Sequence, residues 1–350
     1  MTETLSSELL RDQTASNMGT VREFAPHWAL RNSHLMTIAA HLWRRRFPLL
    51  PASETRLFET EPGTRVRAEC HWQQLPRDHA TLVLLHGLEG SSESGYMMGT
   101  AEHAWLAGFN VVRMNQRNCG GSEELTPTLY HSGLSKDIRA VLVELIEADH
   151  LPALFAAGFS MGGNLVLKMA GELGRETPEQ IKAFVAVAPA LNLAACADAL
   201  AEPRNFIYER HFVRKLKARI QLKSRLFPEK YRLNGLRKIR TVREYDDVIT
   251  APHSGFLDAG DYYTRSSAGQ FLAKIARPTL ILAAEDDPFV PFSSIAEAAR
   301  AGNPNIELLS TRCGGHCAFI SGSSEERFWS EARIVEFCHS IAAIGKVCDG

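Results

Sequence analysis

Long apolar runs are missing from this sequence. Nowhere do roughly 18 apolar residues follow one another, so no membrane-spanning helix is expected. A disulfide framework is missing too: the seven cysteines, Cys70, Cys119, Cys196, Cys313, Cys317, Cys338 and Cys348, form no paired pattern. An odd count behind an acidic, polar opening (MTETLSSELLRDQ), unlike a secretory signal, points to reduced thiols in the cytoplasm. Zinc spacing is lacking. Cys313 and Cys317 flank His316, but no second ligand pair accompanies them, so no metal is expected. Charge of one sign is not in excess either. A net charge of −1 gives the whole molecule no bulk attraction for nucleic acid or anionic lipid. Internal repeats and low-complexity tracts are absent.

The 350 residues, 45% apolar and 23% charged, have the composition of a globular chain with a sizeable core. Residues 1–20 read as a mobile tail. Between Phe24 and Arg46, Leu35, Ile38, Ala39 and Leu42 share a helical face that should pack onto the body. The Arg44-Arg45-Arg46 run after it reads as a solvated helix end, with contact to an anionic surface the alternative. Val66, Ala68, Cys70 and Trp72 alternate with polar residues, as in a half-buried strand. Apolar runs follow at Thr81–Leu85, Asn110–Met114, Leu154–Ala157, Ala183–Ala188 and Thr279–Ala283, with a last strand expected at Asn305–Ser310. Helical patterns such as Lys136–Ala148, Ser293–Ala301 and Trp329–Ala343 separate them. Alternation at these lengths predicts an α/β fold, a mostly parallel sheet covered by helices on both faces.

Residues 191–267 break that alternation. Arg204 to Arg243 hold 14 Lys or Arg against only Glu209 and Glu229, while Phe212, Leu216 and Ile220 share one helical face. A basic, mainly helical cap is expected here, with residues 21–190 and 268–350 forming the body. Its cations are either a face that is solvated or paired with acidic residues elsewhere, or an attraction for acyl-CoA, a phospholipid headgroup or a membrane surface. No nucleic-acid module signature appears.

The chain is organised around LFAAGFSMGGNLVLKM, Leu154 to Met169. A short apolar strand runs into Gly158-Phe159-Ser160-Met161-Gly162, and Leu165, Val166, Met169 and Leu173 follow at helical spacing. Strand, sharp turn and helix give G-x-S-x-G its meaning: the turn exposes the serine hydroxyl at the carboxyl end of the sheet. The next helix then points free N–H groups at a developing oxyanion. An activated serine needs a base, and the base needs an orienting carboxylate. Both follow in the order Ser, Asp, His, each just past a strand: Ser160, the Asp286-Asp287 pair, then His316. Ala284 and Pro288 favour Asp287 as the orienting acid, with Asp286 the alternative. His86 and His131 rival His316, but His86 precedes the serine and suits the oxyanion loop better. Met161 offers one backbone N–H to the oxyanion, and the loop after Thr81–Leu85 offers the other, at Leu88.

HGLEGSSESGY (His86 to Tyr96), RMNQRNCGGSE (Arg113 to Glu123), LYHSG (Leu129 to Gly133) and GFSMGGN resemble the YheT-like branch of the α/β-hydrolases. LRNSHLMTI near the N-terminus, DAGDYYTRSSA (Asp258 to Ala268) and AEDDPFVP resemble it too. The resemblance runs from about Pro26 to Phe337. It implies Ser160 as nucleophile, Asp287 as orienting acid, His316 as base, and carboxylic-ester chemistry without a cofactor. A serine esterase for short- to medium-chain acyl esters is the leading expectation. Acyl transfer to an alcohol and a non-catalytic lipid-binding protein on the same fold are the alternatives.

Overall fold

In the computed structural model, residues 23–231, 233, 235–300 and 302–348 are described. The expectation of a mobile tail over residues 1–20 lies outside them. Eight strands form one sheet in the order β1-β2-β4-β3-β5-β6-β7-β8. They are β1 Glu54–Glu61, β2 Thr64–His71, β3 Thr81–Leu85, β4 Asn110–Met114, β5 Leu154–Phe159, β6 Ile181–Val187, β7 Thr279–Ala284 and β8 Ile306–Thr311. From β4 to β8 every neighbour is parallel, while β1 and β2 add an antiparallel edge. The apolar runs of β3 to β7 are buried on both faces, as interior parallel strands require, while β8 at the sheet edge is only partly buried. Along β3, Leu82 and Leu84 enter one core cluster and Val83 and Leu85 the other.

The principal helices are α1 Ser33–Leu42, α2 Gly95–Leu106, α3 Ser135–Glu147, α4 Met161–Leu173, α5 Leu193–Leu200, α6 Phe206–Leu226, α7 Ala259–Ser266, α8 Phe292–Arg300 and α9 Trp329–Cys348. On one face of the sheet, α3 and α4 supply Ile138, Val141, Leu165 and Val166. Met97 and Ala101 of α2 and Trp329 and Ile334 of α9 cover the other. The Asn32 side chain caps α1 by accepting the Leu35 N–H at 3.1 Å, which explains its sharp start. The Arg run beyond it differs from expectation. Arg45 is drawn inward by the buried Glu331, with Nη2 to Oε2 at 2.7 Å, and its guanidinium lies 3.6 Å from the Phe328 ring centroid. Arg44 and Arg46 alone stay exposed.

Between β6 and β7 the chain is helical. Its longest element, α6, buries Glu209, Val213, Leu216, Ile220 and Lys223, a stripe with helical period. The three apolar members contribute roughly 1.5–3 kcal/mol each by burial. Several cations here are tied down: Lys223 to the Glu123 and Thr126 carbonyls, Lys217 to the Ile239 carbonyl, Arg243 to Asp198. Arg210, Arg214, Arg225, Arg237 and Lys238 are exposed. No helix among the described residues is long and apolar enough to cross a membrane.

Candidate active site

The turn between β5 and α4 is as tight as its glycines suggest. A Cβ on Gly158 would stand 2.2 Å from the Gly162 carbonyl oxygen, and one on Gly162 would stand 2.4 Å from the Leu85 carbonyl oxygen. Neither position can carry a side chain. Ser160 itself takes φ 54° and ψ −119°, a conformation L residues rarely adopt. Its N–H bonds the Val187 carbonyl at 2.8 Å, and its own carbonyl accepts Asn164 N–H at 3.0 Å. The strained backbone is thus pinned from both sides, and the hydroxyl stays half-exposed.

The acid and the histidine arrive from the ends of β7 and β8. Asp287 Oδ2 lies 2.8 Å from His316 Nδ1, and its Oδ1 accepts the Phe289 and Val290 N–H groups at 3.1 and 2.9 Å. Its neighbour Asp286 turns elsewhere, with Oδ1 accepting the Gly315 N–H at 2.9 Å. That contact shapes the turn before His316. Burial favours the neutral imidazole of His316, but the Asp287 carboxylate outweighs it and raises the pKa above the ordinary histidine value. The Phe289 ring packs on His316 with centroids 4.1 Å apart.

Ser160 Oγ makes no hydrogen bond to His316 within 3.5 Å. His316 Nε2 is instead 3.8 Å from the Cys317 Sγ, which itself points at the Val187 carbonyl at 3.6 Å. The strand-end turns bring the serine and the His–Asp pair to one edge of the sheet without closing the last contact. Such contacts are often loose without substrate.

Leu88 and Met161 pack into one small cluster with Cys119 and Tyr130. Neither backbone N–H has a hydrogen-bond partner among the described residues. The loop carrying Leu88 is fixed by its neighbours. Gly87 N–H donates to Tyr96 Oη at 3.1 Å, and the buried His86 accepts the Gln116 N–H at Nε2, 3.1 Å away. That leaves the His86 proton on Nδ1, which donates to the Gly87 carbonyl at 2.7 Å. Burial pushes His86 down to about 4 and His131 to about 3, so both rivals are neutral and neither has a carboxylate partner. A cavity of about 880 Å³, counting the solvent in its mouth, opens above Ser160. Leu88 and Met161 line it from the body, and Leu193, Phe212, Leu216 and Val242 line it from the helical stretch.

Two contributors carried no local signal. Thr37, on α1, accepts the His316 N–H at 2.9 Å while its own hydroxyl donates to the Ser33 carbonyl at 2.7 Å. Gly315, at φ 57°, leaves room for this, since a Cβ there would meet Thr37 Oγ1 at 2.6 Å. The helix near the N-terminus therefore props the histidine turn. LRNSHLMTI marks the segment without showing what it touches.

A serine on such an elbow, under an apolar cavity, defines the class: an enzyme of the esterase and lipase type. The chain belongs to the α/β-hydrolase family, whose "alpha/beta hydrolase fold" description matches residues 80–323, and to its YheT-like branch. YheT of Escherichia coli (strain K12), provisionally named an esterase, is 34% identical over 330 residues, 92% of this chain and 95% of its own. Phospholipase ABHD3 of Mus musculus is 31% identical over 69% of this chain, which spans 59% of the phospholipase's length. Among solved structures, 2,6-dihydroxy-pseudo-oxynicotine hydrolase shares the fold at a TM-score of 0.59 and 18% identity, over 89% of this chain and 72% of that one.

Proposed function

We propose that the protein hydrolyses carboxylic esters of short- to medium-chain acyl groups through an acyl-enzyme on Ser160. The observation that carries this is the His316–Asp287 pair at the sheet edge that presents Ser160 beneath an apolar cavity. On substrate binding, His316 Nε2 closes on the serine and takes its proton as Oγ attacks the ester carbonyl. The Leu88 and Met161 N–H groups receive the oxyanion. Collapse expels the alcohol, which leaves with the proton from His316, and water releases the acid by the same steps. No cofactor enters the sequence. The test is turnover of p-nitrophenyl esters of graded chain length, with fluorophosphonate labelling of Ser160. No turnover of any ester and no label would overturn it. Ethyl ester formed in the presence of ethanol would show the acyl-enzyme passing its acyl group to an alcohol. Cys70, Cys119, Cys196, Cys313, Cys317 and Cys338 stand free, which fits a reducing, cytoplasmic setting.

The direction of the His316 shift predicts the pH profile. A base works only when neutral, so kcat/KM should rise through a limb above the ordinary histidine value of about 6.5. The stability contribution of the charged pair runs oppositely: it is complete below about 6.5 and fades as pH climbs through the raised pKa. Initial rates from pH 5 to 10 check the first, and thermal melts over that range check the second.

The exposed arginines and lysine of the helical stretch support contact with anionic lipid or acyl-CoA. Vesicles rich in phosphatidylserine should bind and be released as salt rises, since screening shortens from about 10 Å at 0.1 M to about 3 Å at 1 M. Flotation at the two salt concentrations measures this. Absent or salt-indifferent binding would leave those cations as a solvated face.

A further inference from the structure

Glu89 follows Leu88 directly, and every polar atom it has is held. Its backbone sits at φ 56°, in the left-handed region, where a side chain costs about 1–2 kcal/mol. Its N–H donates to Tyr130 Oη at 3.2 Å, and its carbonyl accepts from Lys215 Nζ at 3.3 Å. The carboxylate takes Arg219 in a fork, Nε to Oε1 at 2.8 Å and Nη2 to Oε2 at 2.9 Å. Tyr130 Oη donates to Oε1 at 2.6 Å as well. Lys215 and Arg219 are one turn apart on α6, so the helical stretch between β6 and β7 grips this loop twice. The pair is buried, with 3% of the Glu89 and 13% of the Arg219 side chain exposed. Burial alone would raise the Glu89 pKa, yet Arg219 holds it below the usual carboxylate value.

Arg219 also forms part of the cavity wall, but each of its nitrogens already faces a carboxylate: Nε and Nη2 that of Glu89, and Nη1 that of Glu123 at 3.4 Å. It is therefore poorly suited to hold a ligand directly. Nor is stability an adequate reason for the pair, because a buried ion pair often adds nothing over apolar residues of the same volume. What the fork does is fix a strained peptide beside the Leu88 N–H.

We propose that Arg219 is a positioning residue for the reaction: through Glu89 it sets the Leu88 N–H at the oxyanion position, so the oxyanion hole is complete only while α6 is seated. The inference rests on the serine mechanism above. It makes α6 part of the catalytic geometry as well as a wall of the cavity.

The experiment compares Arg219→Met, Arg219→Lys and the double variant Glu89→Gln/Arg219→Met with the natural enzyme. The double variant leaves no unpaired buried charge, so it covers the case in which a single change fails to fold. Steady-state kinetics on a p-nitrophenyl ester are read with the affinities of two inhibitors. One is an alkylboronic acid, which forms a tetrahedral adduct, and the other is the alcohol of matching chain length. In Arg219→Met and the double variant, kcat should fall about 10- to 100-fold with KM within about twofold, as expected for a displaced oxyanion donor. Boronate affinity should fall by the same factor while alcohol affinity holds. Arg219→Lys should lie between, because an ammonium keeps the charge but loses the fork. A drop in kcat with unchanged boronate affinity, or a kcat equal to that of the natural enzyme in folded variants, would overturn the proposal. If the natural enzyme itself ignores the boronate and Ser160→Ala retains turnover, the serine mechanism is what fails.

Discussion

Ser160→Ala is expected to remove ester turnover by at least about four orders of magnitude. Nothing else at the elbow can take over the attack: Phe159 and Met161 flank the serine, and Asn164 is committed to the Ser132 and Ser266 carbonyls at 3.0 Å each. The fold should survive. Ser160 Oγ has no hydrogen-bond partner among the described residues, so its removal strands no buried group, and alanine meets the same φ of 54° as the serine did. The melting temperature should therefore stay within a few degrees, since changes without a named structural cost lie within about 0.5 kcal/mol. Fluorophosphonate labelling should vanish with the turnover. Residual rate above water would come from the oxyanion N–H groups and binding alone. A variant within tenfold of the natural enzyme would refute Ser160 as nucleophile and direct attention to Cys317, whose sulfur lies 3.8 Å from His316 Nε2.

Much of this arrangement was legible because parallel sheets make it so. Strands buried on both faces must be apolar throughout, and β3 and β4 fall at the positions their apolar runs mark. Each βα loop opens at the same sheet edge, so chain order alone predicts which residues can meet there. Strand β1 escaped notice for the converse reason. ETRLFETE is an edge strand buried fully only at Phe58, and its charged residues hide the period-2 pattern. Three long-range polar contacts left no trace in sequence either. Thr37 reaches His316 across 279 residues, Arg219 reaches Glu89 across 130, and Arg45 reaches Glu331 across 286. A polar residue whose partner is so distant looks like any solvated one. The basic run containing Arg219 illustrates the point. Periodicity placed α6 correctly, but which of its cations turn inward depends on carbonyls and carboxylates the helix itself does not contain.

The choice between the two adjacent aspartates rests on one distance, and it predicts unequal mutants. Asp287→Asn should lower kcat about 10⁴-fold, the penalty for presenting a histidine base in the wrong tautomer. The Nδ1 that faces Asp287 Oδ2 at 2.8 Å carries the ring proton, which leaves Nε2 free to accept one from the serine. An asparagine amide facing Nδ1 would donate instead, moving the ring proton to Nε2 and blocking the transfer. The loop should keep its shape, because the asparagine oxygen can still accept from Phe289 and Val290. Asp286→Asn should behave differently. Its carboxylate only accepts backbone N–H groups of the turn, Gly315 at 2.9 Å foremost, a role an amide oxygen also fills, so a loss within about tenfold is expected. The pH profile separates the two further: the acid limb should move down in Asp287→Asn, where the raising carboxylate is gone, and stay in place in Asp286→Asn. Equal losses in the two variants, or a larger one at Asp286, would reverse the assignment of the orienting acid. They would also require His316 to swing toward the Gly315 turn, a movement its N–H bond to Thr37 opposes.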